Sequence, residues 1–266
     1  MPRASLSVLL GLLLSWCGPA ALAAGETDLT AAWTLVARHL PADAQAQLPR
    51  GKSPDRETAL AAAVVRMDSQ PVTDEKLQSV VTVLADLAHG DDEVAQIAGY
   101  LAGRIYQVHF FQPDPVRAAQ AYDEVARRHP GTYWAQLALV KLAVLDLYLL
   151  PQPAAPAERI AAAEALLPRV TDPALLRDLH LVLGRGRLFH QQPGVLPHLL
   201  AADQIGGLTG VLRADLQLQI AELSRRAGDE ATARRYFETF LAENEVDPRV
   251  YAVRVKLASL AKGAAP

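Results

Sequence analysis

Residues 100–135, YLAGRIYQVHFFQPDPVRAAQAYDEVARRHPGTYWA, constrain the fold more than any other stretch of the chain. Gly103 sits in one helix-period segment, and Pro113, Asp114 and Pro115 break it. A second segment then places Ala118, Tyr122 and Val125 on one helical face, the later two lying four and seven residues on from the first. Pro130 closes the unit before another helix-period run opens at Thr132. A small residue in one helix and a large ring in the next is the pattern of two helices in close contact.

Variations on that unit fill the rest of the chain. Hydrophobic residues make up 51% of the sequence but aromatic ones only 6%, the excess being Ala and Leu. Both lose little side-chain freedom in a helix. The spacing predicts helices over about 29–40, 55–67, 73–88, 92–110, 114–128, 132–149, 156–168, 173–189, 195–204, 208–226, 229–243 and 248–262. Asp28, Asp114, Asp172, Asp229 and Asp247 stand where N-caps belong, and Pro115, Pro173 and Pro248 at first helical positions. Residues 41–54 read as a loop after Pro41, with at most one short turn. Nothing alternates with period two for long enough to make a sheet, so the expectation is an all-α protein.

Residues 1–24 have the features of a secretory signal: Arg3, an apolar run from Leu6 to Leu14, and the small-x-small site Ala21-Leu22-Ala23. Cleavage near Ala23 implies a periplasmic or secreted protein. The alternative is lipid anchoring through Cys17, the only cysteine, although Trp16 stands where a lipoprotein box needs a small residue. The formal net charge of −3 gives no general attraction to nucleic acid or an anionic membrane face. The expected division is a signal at 1–24, an N-terminal helical cap at 25–71, one repeat domain at 72–262 and a disordered tail at 263–266.

The helix pairs resemble tetratricopeptide repeats. The resemblance is carried by Gly103 and Tyr106 with Ala118, Tyr122, Val125 and Pro130, and by Ala221, Gly228, Ala233, Phe237 and Phe240. Ala161, Ala165, Pro168 and Pro173 follow the same spacing, and Pro130, Pro173 and Pro248 fall at intervals of one and two repeat lengths of roughly 40 residues. An insertion at Phe110 to Pro113, Val140 at a position the family keeps small, and the short 195–204 segment depart from the pattern. The resemblance implies a right-handed superhelical solenoid of αα-hairpins that binds extended peptides or partner helices in its concave groove.

The residue after each packing position is expected to face that groove: Arg104 after Gly103, Lys141 after Val140 and Arg185 after Gly184, with Glu222 following Ala221. Three successive cations suit a carboxylate or an acidic peptide. Tyr100, Gln107 and Trp134 are candidates for stacking or hydrogen bonding beside them. None of the seven histidines pairs at i, i+4, the spacing that sets two metal ligands on one side of a helix. No phosphate loop, nucleophile elbow or zinc-protease motif is present. The reading is a non-catalytic scaffold without cofactor or metal. The enzyme alternative, a helical toroid acting on polysaccharide, requires His180 or His190 in a cleft with Asp or Glu neighbours.

Overall fold

The computed structural model describes residues 29–49 and 54–263. The signal reading, the Asp28 cap and the Cys17 anchor lie outside these. Among the described residues there are thirteen α-helices and no strand. In chain order they are α1 (Thr30–Ala37), α2 (Pro41–Gln47), α3 (Arg56–Asp68), α4 (Asp74–Leu87), α5 (Glu93–Arg104), α6 (Pro115–Arg128), α7 (Tyr133–Tyr148), α8 (Pro156–Glu164), α9 (Pro173–Phe189), α10 (Val195–Ile205), α11 (Gly210–Arg226), α12 (Glu230–Glu243) and α13 (Val250–Gly263). The protein is all-helical. No helix among the described residues is long and apolar enough to cross a membrane.

Local chemistry accounts for most helix starts. The carboxylate of Asp55 accepts from the Thr58 amide at 2.7 Å, Asp92 from Ala95 at 2.9 Å, Asp114 from Arg117 at 2.9 Å, Asp172 from Leu175 at 3.0 Å and Asp229 from Thr232 at 3.0 Å. Each such cap contributes about 1 kcal/mol by satisfying an amide that the helix leaves without a partner. Pro115 and Pro173 occupy first positions as expected.

Five expectations need correction. Pro41 does not end order: it opens α2, because the missing amide of proline costs nothing at a first helical position. Asp247 and Pro248 do not start the last helix, which begins at Val250. The Asp247 carboxylate is taken up by the Arg249 guanidinium as well as its amide. The 92–110 helix is α5 followed by a π-helical turn, Ile105–His109, and the 156–168 helix ends at Glu164 before a 3₁₀ turn at Leu167–Arg169. Ala161 and Ala165 are exposed, and Ile160 and Ala163 carry the buried face of α8 instead.

The chain divides into two units, Met1–His129 and Pro130–Pro266. On either side of position 71/72, α3 and α4 pack on one another. In the first unit, Leu29, Ala32, Val36, Ala44, Leu48, Ala61 and Val65 bury α1, α2 and α3 together, and α3 to α6 each pack on the next. Gly103 is fixed by close approach. A Cβ there would come within 2.5 Å of the Tyr122 ring, which is fully buried. In the second unit α7 packs on α8 and α9, and α9 to α13 follow in sequence. Its core unites Leu199, Ala221, Ala233, Phe237 and Phe240. Leu147 of α7 seats on Gly186 of α9, where a Cβ would lie 2.6 Å away. Gly263, placed in the tail by the sequence, is the last residue of α13.

Candidate functional site

The end of α5 carries three of the six candidate residues, and the structure brings them together. Tyr100, Arg104 and Gln107 are all buried, with Arg104 9% exposed. The π turn that follows Arg104 widens the helix by one residue and turns Gln107 back toward it, a local irregularity that recurs at functional sites. The Gln107 Oε1 accepts from Arg104 Nη1 at 2.8 Å and from the Tyr122 hydroxyl at 2.8 Å. The rings of Tyr100 and Tyr122 pack 5.7 Å apart. The other ring of the turn, Tyr106, is half-buried beneath the Arg117 guanidinium at 5.6 Å.

The electrostatics of this cluster are lopsided. Burial pushes the Tyr122 phenol far above its usual range, so it acts only as a neutral donor. Burial, and then the Arg104 charge, push His109 below the ordinary imidazole range. Among the described residues no carboxylate lies within ion-pair distance of Arg104. Its fork of five donors reaches a neutral amide oxygen, that of Gln107, through Nη1. A guanidinium held out of water without a counter-charge costs several kcal/mol. Chemically, the arrangement is a positive charge held among neutral partners. It is not the solvent-facing rung expected of Arg104, because the widened turn and the Gln107 bond draw it inward.

The other three candidates lie in the second unit. Trp134 and Lys141 are half-buried and Arg185 is exposed. Arg185 adjoins a feature that the sequence reading missed. Phe189 is 66% exposed, Leu149 50% and Leu188 46%, and Tyr148 meets Phe189 edge-on at 5.1 Å. The ledge is pinned from below, since His190 Nε2 bonds the Leu147 carbonyl at 2.7 Å. Burial pushes the Tyr148 phenol above its usual range, with the Arg185 charge pulling the other way, and no carboxylate among the described residues pairs with Arg185. The signal for the ledge was present as two aromatics at helix ends, but end positions carry no periodicity to mark them.

Two histidines do assemble, contrary to the i, i+4 search. His180 of α9 and His198 of α10 meet Nδ1 to Nδ1 at 3.0 Å, and His198 Nε2 meets Glu164 Oε1 at 3.0 Å. They are eighteen residues apart and joined by a helical hairpin, so no single-helix spacing reveals them. Among the described residues no group of three or more His, Cys, Asp or Glu side chains is placed to hold a metal ion.

Searches against family models, characterised proteins and solved structures return no match to this chain.

Proposed function

We propose that the chain is a non-catalytic scaffold of tetratricopeptide-like helix pairs that acts in the periplasm or outside the cell and holds a protein partner through an acidic group. The observation that carries this reading is the buried Arg104 guanidinium without a carboxylate partner among the described residues. In this reading an acid inserted by the partner at the end of α5 supplies the missing counter-charge, since Arg binds two carboxylate oxygens at once. The ledge of Phe189, Tyr148 and Leu149 beside Arg185 supports the same partner chemistry. Exposed, rigidly seated aromatics next to an arginine are what binding hot spots are made of, and Arg185 calls for an acid beside the apolar side chain that would cover Phe189. The repeat reading is supported by the pairing of Gly103 with Tyr122 and by the common burial of Ala221, Ala233 and Phe237.

Selection of displayed random dodecapeptides against the wild-type protein tests this. Enriched peptides should share an Asp, Glu or free carboxyl terminus, and Arg104→Met should weaken them at least tenfold. Peptides that lack an acid, or that bind both proteins equally, would refute the reading.

A further inference from the structure

The His180–His198 contact has a geometry that only one proton can satisfy. The two Nδ1 atoms lie 3.0 Å apart while the ring centroids stand 5.3 Å apart, so the rings meet nose to nose. A hydrogen bond of this kind needs one nitrogen as donor and the other as bare acceptor. His198 donates its Nε2–H to Glu164, which fixes its remaining nitrogen as the acceptor in the neutral pair. His180 is then the donor, and its own Nε2 is the position open to a proton. One added proton on Nε2 leaves the Nδ1–H···Nδ1 bond intact, and shifting the shared proton puts the charge on His198 beside the Glu164 carboxylate. A second proton must occupy the acceptor. It breaks the bond and sets two cations against each other.

The surroundings tie this proton count to structure. Glu164 comes from α8, and Arg187 of α9 donates to the same carboxylate through Nε at 2.9 Å and to the Pro193 carbonyl through Nη1 at 2.6 Å. His198 precedes Leu199, which is fully buried and seated so closely on Gly184 that a Cβ there would lie 2.9 Å away. α7 meets α9 here through the Leu147 side chain at Gly186 and the Leu147 carbonyl at His190. Further along α10, Asp203 is engaged by the Tyr236 hydroxyl at 2.7 Å and by Arg213 at 3.9 Å, away from the pair. Among the described residues the charges beside the two imidazoles are Glu164, already shared with Arg187, and each other; Arg177, three residues before His180 on α9, is paired with Asp178 and donates to the Gly206 carbonyl after α10 at 3.3 Å.

We infer that His180, His198 and Glu164 form an acid-sensing proton site that holds α10 against α9 at neutral pH and releases it when both imidazoles are charged. Burial, followed by the neighbouring His198 charge, lowers the affinity of His180 for its proton. The sign follows: the folded state resists the proton that the unfolded chain accepts near pH 6.5, so stability present above that pH is lost as the pH falls below it.

Hydrogen exchange of the full chain at pH 7.5 and pH 5.0, corrected for intrinsic rates, tests the inference alongside an NMR titration of the imidazole signals. The α10 amides should lose at least tenfold protection at pH 5.0 while α12 stays unchanged, and His180→Gln should remove that difference. The titration should show two coupled steps, one displaced below the ordinary imidazole range. Equal α10 protection at both pH values, persistence of the loss in His180→Gln, or two independent titrations near pH 6.5 would each overturn it. Should the variant fail to fold, the wild-type titration alone decides.

Discussion

Replacing Arg104 by Met separates a binding residue from a structural one. In the folded protein Arg104 is 9% exposed and its guanidinium donates to the Gln107 amide oxygen. That bond to a charged group is worth roughly 1.5–3 kcal/mol, whereas withholding water from an unpaired guanidinium costs several kcal/mol. Removing the charge does not orphan Gln107, because its oxygen keeps the Tyr122 hydroxyl at 2.8 Å. Met is close in length and adaptable in shape, so the cavity left is small. The balance favours the variant by about 1–2 kcal/mol, a rise in Tm of roughly 3–6 °C for a chain of this size. Thermal unfolding followed by circular dichroism at neutral pH reads this directly. A fall in Tm of more than 3 °C would refute the reasoning, because it would mean that Arg104 is held by the fold for the fold's own sake.

Other consequences follow from packing and titration. Gly103→Ala gains about 1 kcal/mol of helix propensity but drives a methyl into a fully buried Tyr122, whose ring cannot retreat without losing its bond to Gln107. The net loss should be about 1–2 kcal/mol in urea unfolding, and Tyr122→Leu in the same chain should abolish it. Phe237→Ala, at a fully buried core ring, should cost about 3–5 kcal/mol by the same assay. Burial pushes the Asp146 carboxyl up to about 6, so its contribution to stability is present below the ordinary carboxylate range and lost as the pH rises through 6. Asp146→Asn should accordingly raise stability by about 1 kcal/mol at pH 7.5, after allowance for solvent screening, and by much less at pH 4.5. Phe189→Ala, on the exposed ledge, should leave Tm unchanged within about 1 °C, as measured by the same melts.

Helix content was legible in the sequence because caps and prolines act locally. Asp114, Asp172 and Asp229 hold the amides that their positions promised, and the Ala118–Tyr122–Val125 face is buried as its spacing required. Where the reading failed, a second partner competed for the same group. Asp247 had Arg249 to bind as well as an amide, so it marks a turn rather than a helix start. Pro41 was ambiguous in principle, since a proline stops the helix before it and starts the one after it. At the site, the sequence set Tyr100, Gln107 and Trp134 beside the cations, and the structure bonds Arg104 to Gln107 and packs Tyr100 on Tyr122. It could not show that Arg104 turns inward, because the π turn that rotates the chain at Ile105 has no residue signature. The His180–His198 contact and the Tyr148–Phe189 ledge were hidden for a different reason. Each joins two helices whose register is set by tertiary packing at Gly184 and Gly186 rather than by spacing within one helix.

A double-mutant cycle between Arg104 and an acidic peptide tests the central claim most directly. The peptide would come from display selection and be paired with a version in which its acid is replaced by the amide, both titrated calorimetrically into wild-type and Arg104→Met protein. Direct recognition of the carboxylate by Arg104 predicts a coupling energy of at least about 2 kcal/mol, with the amide peptide indifferent to the substitution. Additive losses, with the acid still preferred by Arg104→Met, would contradict it.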